Sequence, residues 1–323
     1  MKAEGPILVT GAAGFIGAAV SRRLLDRGEA VVGVDCFNSY YDPALKEARV
    51  ATLTGDPGFE LVRMDIAEAD AFAHLVRDSG ACRIVHLAAQ AGVRYDNPFA
   101  YERSNLAGHL SVLEACRHAP GVIHLVYASS SSVYGDRPLA AAFREDDPLV
   151  DPASLYAATK RSAELMSAVY ANLYGLPQSG LRFFTVYGPW GRPDMAYFSF
   201  ARKILAGEPI EVFGEGQMSR DFTYIDDIVT GIVATLDRPP PRGEHRVLNI
   251  GGGRPLGLLR MIEILEQALG VTAQKIMRPM QPGDVTATYA DVSKLRALTG
   301  YAPEITLDEG LPRFVDWYRG FYG

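Results

Sequence analysis

The stretch Pro6-Ile-Leu-Val-Thr-Gly-Ala-Ala-Gly-Phe-Ile-Gly17 indicates the fold, because an apolar run is followed by three glycines spaced G-x-x-G-x-x-G. A buried strand, a tight turn and a helix N-terminus in this order form a phosphate site, since backbone N–H groups and the helix dipole face the anion. Gly11 permits the tight turn, Gly14 lets the backbone approach a pyrophosphate, and Gly17 lets the helix lie close to the strand. The stretch therefore predicts a dinucleotide-binding α/β fold.

The second apolar run of the chain ends in a carboxylate. Ala30-Val-Val-Gly-Val34 is followed at once by Asp35, which lies 18 residues beyond Gly17. A carboxylate at this point accepts hydrogen bonds from both hydroxyls of an adenosine ribose and repels a 2′-phosphate. The alternative, an α/β domain with an accidental glycine turn and no nucleotide, leaves the acid unexplained. The sequence therefore predicts NAD rather than NADP as the cofactor.

The first half of the chain alternates strand-like and helix-like segments, which is typical of a parallel sheet with helices on both faces. Further strands are predicted at residues 59–63, 82–87 and 122–128, with a sixth that ends near Phe184. The loops that follow such strands lie at the carboxyl edge of the sheet, where open α/β folds bind ligands. We therefore expect an α/β fold built on a doubly wound, Rossmann-like parallel sheet.

The second half is expected to form a smaller C-terminal α/β substrate domain. Pro239-Pro-Pro241 indicates a surface linker, and the amphipathic segments Leu259 to Leu269 and Leu311 to Tyr318 are predicted to be packing helices. The expected division of the chain is a nucleotide-binding domain at residues 1–180, with contributions from about 220–250, and a substrate domain at 181–323.

The composition is that of an ordinary globular enzyme, with 48% hydrophobic and 22% charged residues in a chain of 323. A formal net charge of −6 disfavours non-specific binding to nucleic acid, although local arginines could still bind an anionic small molecule. The sequence shows neither an N-terminal signal segment nor an apolar run long enough to cross a bilayer. We expect a soluble cytoplasmic protein that acts on a small molecule.

Histidines and cysteines give no sign of a metal site. His86 and His124 lie inside apolar strands, where a hydrogen-bonded structural histidine is commoner than a ligand or a base. Cys36, Cys82 and Cys116 are scattered without the spacing of metal ligands. We expect reduced thiols, as in cytosolic proteins, and no metal.

A long helical segment is predicted from Phe99 to His118, with Leu106, Leu110 and Leu113 near helical spacing. We favour a core helix as the interpretation of this segment. A dimer face formed together with the helix that begins near residue 156 is the second interpretation.

Two stretches carry residues suited to chemistry. Ala128-Ser-Ser-Ser-Ser-Val-Tyr-Gly135 places several hydroxyls at the carboxyl edge of the sheet, and Tyr156-Ala-Ala-Thr-Lys160 follows. On a helix, residues i and i+4 share a face, so the Lys160 ammonium is expected near the Tyr156 phenol. A nearby ammonium and a positive nicotinamide ring favour the phenolate and lower the tyrosine pKa, which makes Tyr156 a candidate base.

The whole chain resembles the extended short-chain dehydrogenase/reductases that act on nucleotide sugars, and within them it most resembles UDP-glucuronate 4-epimerases. The resemblance covers essentially all residues. Its most specific stretches are Phe37-Asn-Ser-Tyr-Tyr-Asp-Pro43, Ala89-Gln-Ala-Gly-Val-Arg94, Arg182-Phe-Phe-Thr-Val-Tyr-Gly-Pro-Trp-Gly-Arg-Pro-Asp-Met-Ala196, Arg220-Asp-Phe-Thr-Tyr-Ile-Asp-Asp227 and Met280-Gln-Pro-Gly-Asp-Val285.

The resemblance implies catalytic roles for three residues: a hydroxyl on Ser130, the base on Tyr156 and the lysine on Lys160. Asp65 could contact the adenine amino group or cap the next helix, and the two roles are compatible. The expected NAD-binding residues are Gly11, Gly14, Phe15, Ile16, Gly17, Asp35, Asn38, Asp65, Ile66, Leu87, Ala88, Ala89, Gln90, Asn105, Ala128, Tyr156, Lys160, Phe183 and Val186.

The expected substrate is a UDP-sugar. Arg220 suits the pyrophosphate because a guanidinium matches phosphate oxygens with two parallel hydrogen bonds, while the alternative is a surface arginine paired with Asp221. Val212 and Phe213 would form an apolar slot for uracil, and Asp284 resembles the acid that binds a nucleotide ribose. The expected substrate-binding residues are Arg94, Ser130, Ser131, Ser132, Tyr156, Thr185, Arg192, Val212, Phe213, Gln217, Arg220 and Asp284.

The implied reaction is a transient oxidation at the sugar C4, followed by return of the hydride to the opposite face. A 4-keto uronate loses CO2 readily when its carboxylate bond stands perpendicular to the ketone plane. We therefore expect Ser131, Ser132, Thr185 and Arg192 to hold the carboxylate near that plane. Thr185→Val or Arg192→Ala should then divert some product to a decarboxylated pentose.

Related chemistries are separated by single positions. Sugar-nucleotide 4,6-dehydratases of this superfamily carry Asp-Glu at the places of Ser131 and Ser132, and UDP-glucuronate decarboxylases commonly carry glutamate at the second. Gln281 stands where UDP-glucose epimerases usually have a basic residue. UDP-glucose 4-epimerase is the alternative enzyme, a catalytically idle NAD sensor is the alternative class, and a homodimer is expected from the resemblance.

Overall fold

The computed structural model describes residues 5–137, 141–149, 151–281 and 283–323. Pro282, within the specific stretch at residues 280–285, lies outside these ranges. The strands are β1 Ile7–Thr10, β2 Val31–Asp35, β3 Phe59–Arg63, β4 Arg83–His86, β5 His124–Ser130, β6 Gln178–Phe183, β7 Thr185–Tyr187, β8 Ile210–Phe213, β9 Ser219–Tyr224, β10 His245–Ile250, β11 Pro255–Gly257 and β12 Lys275–Arg278. The α-helices are α1 Phe15–Asp26, α2 Pro43–Ala51, α3 Ala69–Ser79, α4 Pro98–Tyr101, α5 Gly108–His118, α6 Leu155–Tyr174, α7 Ala196–Leu205, α8 Ile225–Leu236, α9 Leu258–Leu269, α10 Ser293–Thr299 and α11 Leu307–Tyr322.

Within the described ranges, seven parallel strands form the main sheet in the order β10-β6-β5-β4-β1-β2-β3. Strand β1 pairs with both β2 and β4, with Ile7 opposite Val31 on one side and Arg83 on the other. The direction of winding reverses between β1 and β4, which creates a crevice at the carboxyl ends of these strands. The expected Rossmann-like, doubly wound α/β sheet is confirmed.

The central strands are apolar on both faces because helices cover both sides of the sheet. In β1, Ile7 and Val9 belong to one buried cluster, which includes Leu24 of α1 and Ile232 of α8. Leu8 faces the other side and packs in a second cluster with residues of α3 and α5. Alternation along one strand thus joins two layers of helices to the sheet.

The chain beyond β6 contributes two smaller sheets, β11-β9-β7 and β12-β8, besides returning β10 to the main sheet. The helices predicted at 259–269 and 311–318 correspond to α9 and α11. Helix α11 packs on α7 through aromatic rings, including Phe314 against Phe198 at 5.6 Å between centroids. The boundary between two domains at residue 180 stays a prediction.

The segment predicted as one helix from Phe99 to His118 has three parts. Helix α4 is followed by a π-helical stretch at Glu102–Ala107, and α5 then continues to His118. A π-helical turn shifts the side chains that follow it, and such turns are frequent at functional sites. Here the wider turn carries Asn105, which contacts the loop after β4.

Strand β5 also extends further than predicted, since it ends at Ser130 rather than residue 128. Hydropathy could not predict this end because the last two residues are serines. Across the described ranges, no helix has both the length and the apolar character needed to cross a membrane.

Candidate active site

A cleft of about 800 Å³ lies at the carboxyl edge of the main sheet, between the sheet and the smaller C-terminal elements. The loops that follow β1 to β6 form one side. Residues of β8, β9 and the segment 283–288 form the other. Most of the predicted cofactor and substrate residues line this single cleft.

The glycine turn at the start of α1 fits an anion closely. Gly11 has φ +72°, and a Cβ added to Gly17 would lie 2.0 Å from the Gly11 carbonyl oxygen. The N-cap of α1, Gly14, carries no capping side chain, and the first turn holds no acidic residue. The N–H groups of this helix end are therefore available to a phosphate, as expected for a bound dinucleotide.

Asp35 is fixed at the carboxyl end of β2 and is 9% exposed. Its oxygens accept hydrogen bonds from the backbone N–H of Ala13 at 3.1 Å and of Phe37 at 2.8 Å. A carboxylate has about four acceptor sites, so this one can also accept ribose hydroxyls. Lys46 supports the neighbouring Asn38, because its Nζ donates to the Asn38 side-chain oxygen at 2.8 Å.

Asp65 lies in the cleft at the end of β3 and has protein partners of its own. It accepts from the backbone N–H of Ala67 at 2.9 Å and from Arg103 Nε at 2.8 Å. The first contact closes a local turn before α3, whose N-cap is Glu68 and has no side-chain cap bond, so Asp65 does not cap this helix. Its exposure to the cleft is compatible with the adenine role.

Ser130, Tyr156 and Lys160 all line the cleft. Ser130 is the last residue of β5, and its Oγ accepts from Ser132 N at 3.1 Å and from Ser132 Oγ at 2.8 Å. Helix α6 begins after Ser154, whose side chain caps it, and therefore carries Tyr156 and Lys160 on one face. The structure thus brings the three predicted residues together.

The pKa of the Tyr156 hydroxyl is raised above its usual value, because loss of surrounding water outweighs the opposing effects of the Arg192 charge and a hydrogen bond with Ser130. Lys160 lies with its Nζ 5.8 Å from the Tyr156 ring centroid and donates to the Ala128 carbonyl at 2.9 Å. Burial lowers the pKa of Lys160 to about 8. The sequence had suggested the Lys160 ammonium and the nicotinamide ring as the charges that favour the phenolate, whereas in this structure Arg192 has the largest lowering effect.

A buried ion pair behind the serine strand was not predicted. Glu164 of α6 accepts from Arg182 Nε at 2.8 Å, from Arg182 Nη2 at 2.9 Å and from Ser129 Oγ at 2.7 Å. Burial alone would raise the pKa of Glu164, but the bonds and charge of Arg182 lower it. The pair anchors β5 to α6 next to Ser130. The sequence signal for this pair is Glu164 itself, which lies four residues after Lys160 and so on the same face of α6.

Two residues, Asp194 and Tyr40, form a hydrogen-bonded chain with Arg192, the predicted carboxylate-binding arginine. Arg192 forms an ion pair with Asp194 at 2.6 Å, and Tyr40 donates a hydrogen bond to Asp194 at 3.1 Å. All three line the cleft. Neither Tyr40 nor Asp194 was predicted as a site residue, although both lie within the stretches that carry the family resemblance.

Arg94 and Asp284 were both predicted to bind substrate, and here they bind each other. Arg94 Nη1 lies 2.6 Å from Asp284 Oδ1, across the cleft. Arg220 also lines the cleft and donates to the carbonyls of Ser219 and Thr286. It does not pair with Asp221, which is fully buried and accepts from the backbone N–H groups of residues 252, 253 and 290. The alternative of a surface arginine paired with Asp221 is therefore wrong.

Three predicted contact residues do not line the cleft. Val212 is fully buried in the core, because alternation along β8 turns Phe213 to the cleft and Val212 away from it. Gln217 is exposed after the short turn that follows β8. Asn105 is buried and holds Gln90 through hydrogen bonds to its backbone N–H and carbonyl, at 2.8 and 3.0 Å. The apolar slot thus consists of Phe213 without the Val212 side chain.

Arg49 is a buried cation that the sequence analysis missed. It is 1% exposed and donates to the carbonyls of Trp190 at 2.7 Å, of Gly191 at 3.0 Å and of Ala13 at 3.2 Å. It also lies 2.6 Å from the Tyr41 hydroxyl. One side chain thus joins the glycine turn to the loop that carries Arg192. An arginine among apolar residues of an amphipathic helix would have been the signal.

The described part of the chain contains no group of three or more histidine, cysteine, aspartate or glutamate side chains that could hold a metal ion.

The fold and the site define a class of Rossmann-fold enzymes. One cleft brings together the glycine turn, the carboxylate at the end of β2, and the serine, tyrosine and lysine. Residues 7–251 match the family model "Epimerase: NAD dependent epimerase/dehydratase family", and the chain belongs to this family. It is 47% identical to a probable UDP-glucuronate 4-epimerase of Rhizobium meliloti (strain 1021), with 98% of this chain and 97% of the relative covered.

Two further comparisons agree. UDP-glucuronate 4-epimerase 1 of Arabidopsis thaliana is 46% identical, over 98% of this chain and 77% of the plant protein. The crystal structure of UDP-glucuronic acid 4-epimerase from Bacillus cereus, in complex with UDP-glucuronic acid and NAD, superposes with a TM-score of 0.91 at 37% identity. That match covers 98% of this chain and all of the bacterial one.

Proposed function

We propose that this protein is an NAD-dependent UDP-glucuronate 4-epimerase, an isomerase that interconverts UDP-glucuronate and UDP-galacturonate. The observation that carries the proposal is the convergence of Ser130, Tyr156 and Lys160 with Arg192 on one cleft. The first three suit proton transfer at a sugar hydroxyl, and the arginine suits a carboxylate. Full-length similarity to UDP-glucuronate 4-epimerases supports the same conclusion.

NAD would be held by the glycine turn before α1 and by Asp35, with Asp65 near the adenine and Phe183 and Val186 near the nicotinamide. Bound NAD supplies a hydride acceptor for the sugar C4 and returns the hydride, so that none is consumed. A glycine-lined cradle without an acidic residue in the first turn of α1 fits the pyrophosphate.

Proton transfer at the sugar 4-hydroxyl falls to Tyr156, with Ser130 as the adjoining hydroxyl. Tyr156 accepts the proton as phenolate and later gives it back, so its effective pKa must fall toward neutrality in the loaded enzyme. The Arg192 charge and the hydrogen bond with Ser130 favour the phenolate, and a protonated Lys160 with its Nζ 5.8 Å from the ring centroid would act in the same sense. Lys160 is fixed for this role by its bond to the Ala128 carbonyl.

The nucleotide part of the substrate would lie between Phe213 and Arg220. Phe213 offers an apolar face to the uracil, Arg220 binds the pyrophosphate, and Asp284 accepts from the ribose. Asp284 uses one carboxylate oxygen for its pair with Arg94, so acceptor sites remain for a ribose hydroxyl and the Arg94 cation stays beside the nucleotide site.

Hydroxyl and guanidinium groups near the sugar would bind the uronate carboxylate. Ser131, Ser132, Thr185 and Arg192 all line the cleft. With hydroxyls rather than Asp-Glu after Ser130, the site lacks the acids that a dehydratase or decarboxylase places there. This set of side chains best supports an epimerisation in which the sugar keeps its carboxylate.

We also propose that the protein acts as a homodimer in the cytoplasm. One face of α6 carries three exposed apolar side chains at i, i+4 and i+8: Leu165 (54%), Val169 (50%) and Leu173 (63%). Phe99, in the short helix α4, is 77% exposed. Apolar side chains aligned on a helix face are typical of a protein interface. Light scattering should give twice the chain mass of 35.1 kDa, and a monomer at micromolar concentration would contradict the dimer.

The test of the function is to incubate the purified protein with UDP-glucuronate and, separately, with UDP-glucose, without added reductant, and to identify products by proton NMR. We expect UDP-galacturonate from the first substrate alone. UDP-galactose from the second would favour the alternative UDP-glucose 4-epimerase. UDP-xylose and CO2 from the first would favour the decarboxylase, and NAD binding without turnover on either sugar would favour an idle sensor.

A further inference from the structure

One edge of the Arg192 guanidinium is occupied within the protein. Arg192 Nε donates to Asp194 Oδ1 at 3.0 Å, and Nη2 donates to Asp194 Oδ2 at 2.6 Å. A guanidinium has five N–H groups, so three remain, two of them on Nη1. The Arg192 side chain is 25% exposed in the cleft. Among the described residues no acceptor bonds Nη1, so this end of the guanidinium is available to a ligand.

Asp194 is itself fixed from the opposite side. The Tyr40 hydroxyl donates to Asp194 Oδ2 at 3.1 Å. The Tyr40 ring packs edge-on against Tyr95 at 4.9 Å, and a Cβ added to Gly92 would lie 2.3 Å from the Tyr40 hydroxyl. Burial raises the pKa of Tyr40 far above its usual value, so the hydroxyl remains a donor. Tyr40 is thus confined on several sides and holds the carboxylate in place.

The charges of Arg192 and Asp194 both affect the pKa of Tyr156, the proposed base. Burial would raise the pKa of Asp194, but the Arg192 charge and bonds lower it, so Asp194 is ionised. The Arg192 charge favours the Tyr156 phenolate, and the Asp194 charge opposes it. A substitution of Asp194 should therefore alter both the binding of the substrate carboxylate and the pKa of Tyr156.

Building on the proposed function, we propose that Asp194, fixed by Tyr40, is a positioning residue. It presents the free end of the Arg192 guanidinium to the sugar carboxylate and so holds that carboxylate near the plane of the 4-ketone. Because a bidentate pair sets both the direction and the plane of a guanidinium, loss of Asp194 leaves Arg192 charged but free to turn.

The reaction that this positioning suppresses is specific. When the C5–C6 bond of a 4-keto uronate stands perpendicular to the ketone, that bond breaks and CO2 leaves. The electron pair passes into the C4 enolate, and C5 then takes up a proton to give a 4-keto pentose. No oxidant beyond that of the epimerisation itself is needed. The ratio of UDP-pentose to UDP-hexuronate products therefore reports how well the carboxylate is held.

The experiment compares Tyr40→Phe, Asp194→Ala and Asp194→Asn with the unchanged protein on UDP-glucuronate, with products measured by proton NMR. We expect the pentose-to-galacturonate ratio to rise about tenfold in Asp194→Ala, which corresponds to about 1.4 kcal/mol between the two barriers. Tyr40→Phe, which keeps the ring, should give a smaller rise. Asp308→Asn, which breaks an exposed 2.7 Å pair with Arg260 outside the cleft, is the matched control and should leave the ratio unchanged.

A product ratio does not depend on the fraction of active enzyme, so a merely structural role would not change it. Asp194→Asn should also shift the acid limb of the kcat/KM profile to lower pH, because a charge that opposes the Tyr156 phenolate is removed. UDP binding, measured by calorimetry, should stay within about twofold and so verify the fold of each variant. Unchanged ratios in both Asp194→Ala and Tyr40→Phe would overturn the proposal.

Failure of the proposed function would look different. The unchanged protein would then form no UDP-galacturonate from UDP-glucuronate, which is seen without any variant and would overturn the positioning role together with it. If the unchanged protein epimerises and only the ratios fail to respond, the function stands and the role of Asp194 does not.

Discussion

At the scale of single residues, the central question is how a tyrosine in a partly buried cleft becomes a base. Removal of water raises the pKa of Tyr156, and the opposing effects come from Arg192 and Ser130. Lys160, with a pKa of about 8, is protonated at lower pH and then places a positive charge close to the Tyr156 ring. The residues that favour the phenolate therefore come from α6, β5 and the loop before α7, which meet only in the folded chain.

Tyr156→Phe should slow epimerisation severely while leaving the cleft intact. A positioned general base contributes about 10² to 10⁴ in rate, so we expect a loss within that range in kcat on UDP-glucuronate. The measurement is product formation by proton NMR, with UDP affinity as a check of folding. Tyr170→Phe is the matched control on the same helix, because its hydroxyl bonds Glu114 away from the cleft. A Tyr156→Phe variant with near-normal kcat would assign the base elsewhere.

Asp35→Asn should weaken the preference for NAD over NADP. At an effective dielectric constant of 20, two unit charges about 4 Å apart interact by about 4 kcal/mol, so removal of the carboxylate charge relieves repulsion of a 2′-phosphate. We expect the ratio of the two dissociation constants to change at least tenfold, as measured by fluorescence or calorimetry. Asp65→Asn, at the end of the next strand, is the control and should leave this ratio unchanged. An unaltered ratio in Asp35→Asn would contradict the selective role.

At the scale of elements, the loop between β7 and α7 is held in an unusual conformation. Trp190 has φ +62°, a region that costs a non-glycine residue about 1–3 kcal/mol unless its surroundings enforce it. Two contacts enforce it here. Arg49 of α2 bonds the Trp190 and Gly191 carbonyls, and the indole packs against Trp317 of α11 with centroids 5.1 Å apart. Helices α2 and α11 together thus set the position of the loop that carries Arg192.

Arg49→Met should destabilise the protein because it leaves the carbonyls of Ala13, Trp190 and Gly191 without this donor. Each buried group left unsatisfied costs about 1–3 kcal/mol, so we expect a loss of roughly 3 kcal/mol or more in the free energy of unfolding. Urea unfolding measures it. Glu47→Gln, an exposed position on the same helix, should change stability by no more than about 0.5 kcal/mol. A loss below 1 kcal/mol in Arg49→Met would show that the loop does not depend on this side chain.

At the scale of the whole molecule, the buried face of the main sheet contains a row of neutral titratable rings. His86 stacks on His109 at 5.3 Å between centroids, His109 lies 5.1 Å from Tyr127, and Tyr127 lies 5.9 Å from His245. Burial lowers the pKa of His109 to about 3 and of His245 to about 4, and it lowers that of His86 well below its usual value. These contacts agree with the predicted structural role of His86, and His124 is likewise hydrogen-bonded, to the Leu236 carbonyl and to Ser179.

Stability should fall as the pH drops below about 6.5. There the unfolded chain protonates its histidines, while the folded chain keeps His86, His109, His245 and also His124, with a pKa of about 4, neutral. The unfolded state then binds more protons, and each such group contributes up to about 1.4 kcal/mol per pH unit. Asp221, whose pKa burial raises to about 6, and Asp227, whose pKa burial also raises, act in the opposite sense, but they are two groups against four.

The measurement is thermal unfolding of the protein at pH 7.5, 6.5 and 5.5. We expect a steady fall in Tm below pH 6.5, and His74→Gln, at an exposed position, should leave the slope unchanged. A Tm that is the same at pH 7.5 and 5.5 would show that the four histidines do not titrate on unfolding as described.

The sequence by itself determined the main sheet, the glycine turn, the acid after β2 and the Ser130, Tyr156 and Lys160 set. These features are local: a short apolar run, a glycine spacing or an i to i+4 pair needs only the immediate chain for its conformation. The roles assigned to the site residues stay predictions. They agree with a cleft that nearly all of those residues line.

Only the tertiary structure decided the contacts between distant segments. The Arg94 and Asp284 pair, the Tyr40, Asp194 and Arg192 chain, and the bonds of Arg49 join loops that are far apart in sequence. The inward turn of Val212 likewise depends on which face of β8 meets the core. Such choices are set by packing of whole elements against one another, because hydrogen-bond partners and buried faces exist only once the sheet, the helices and the C-terminal elements have come together.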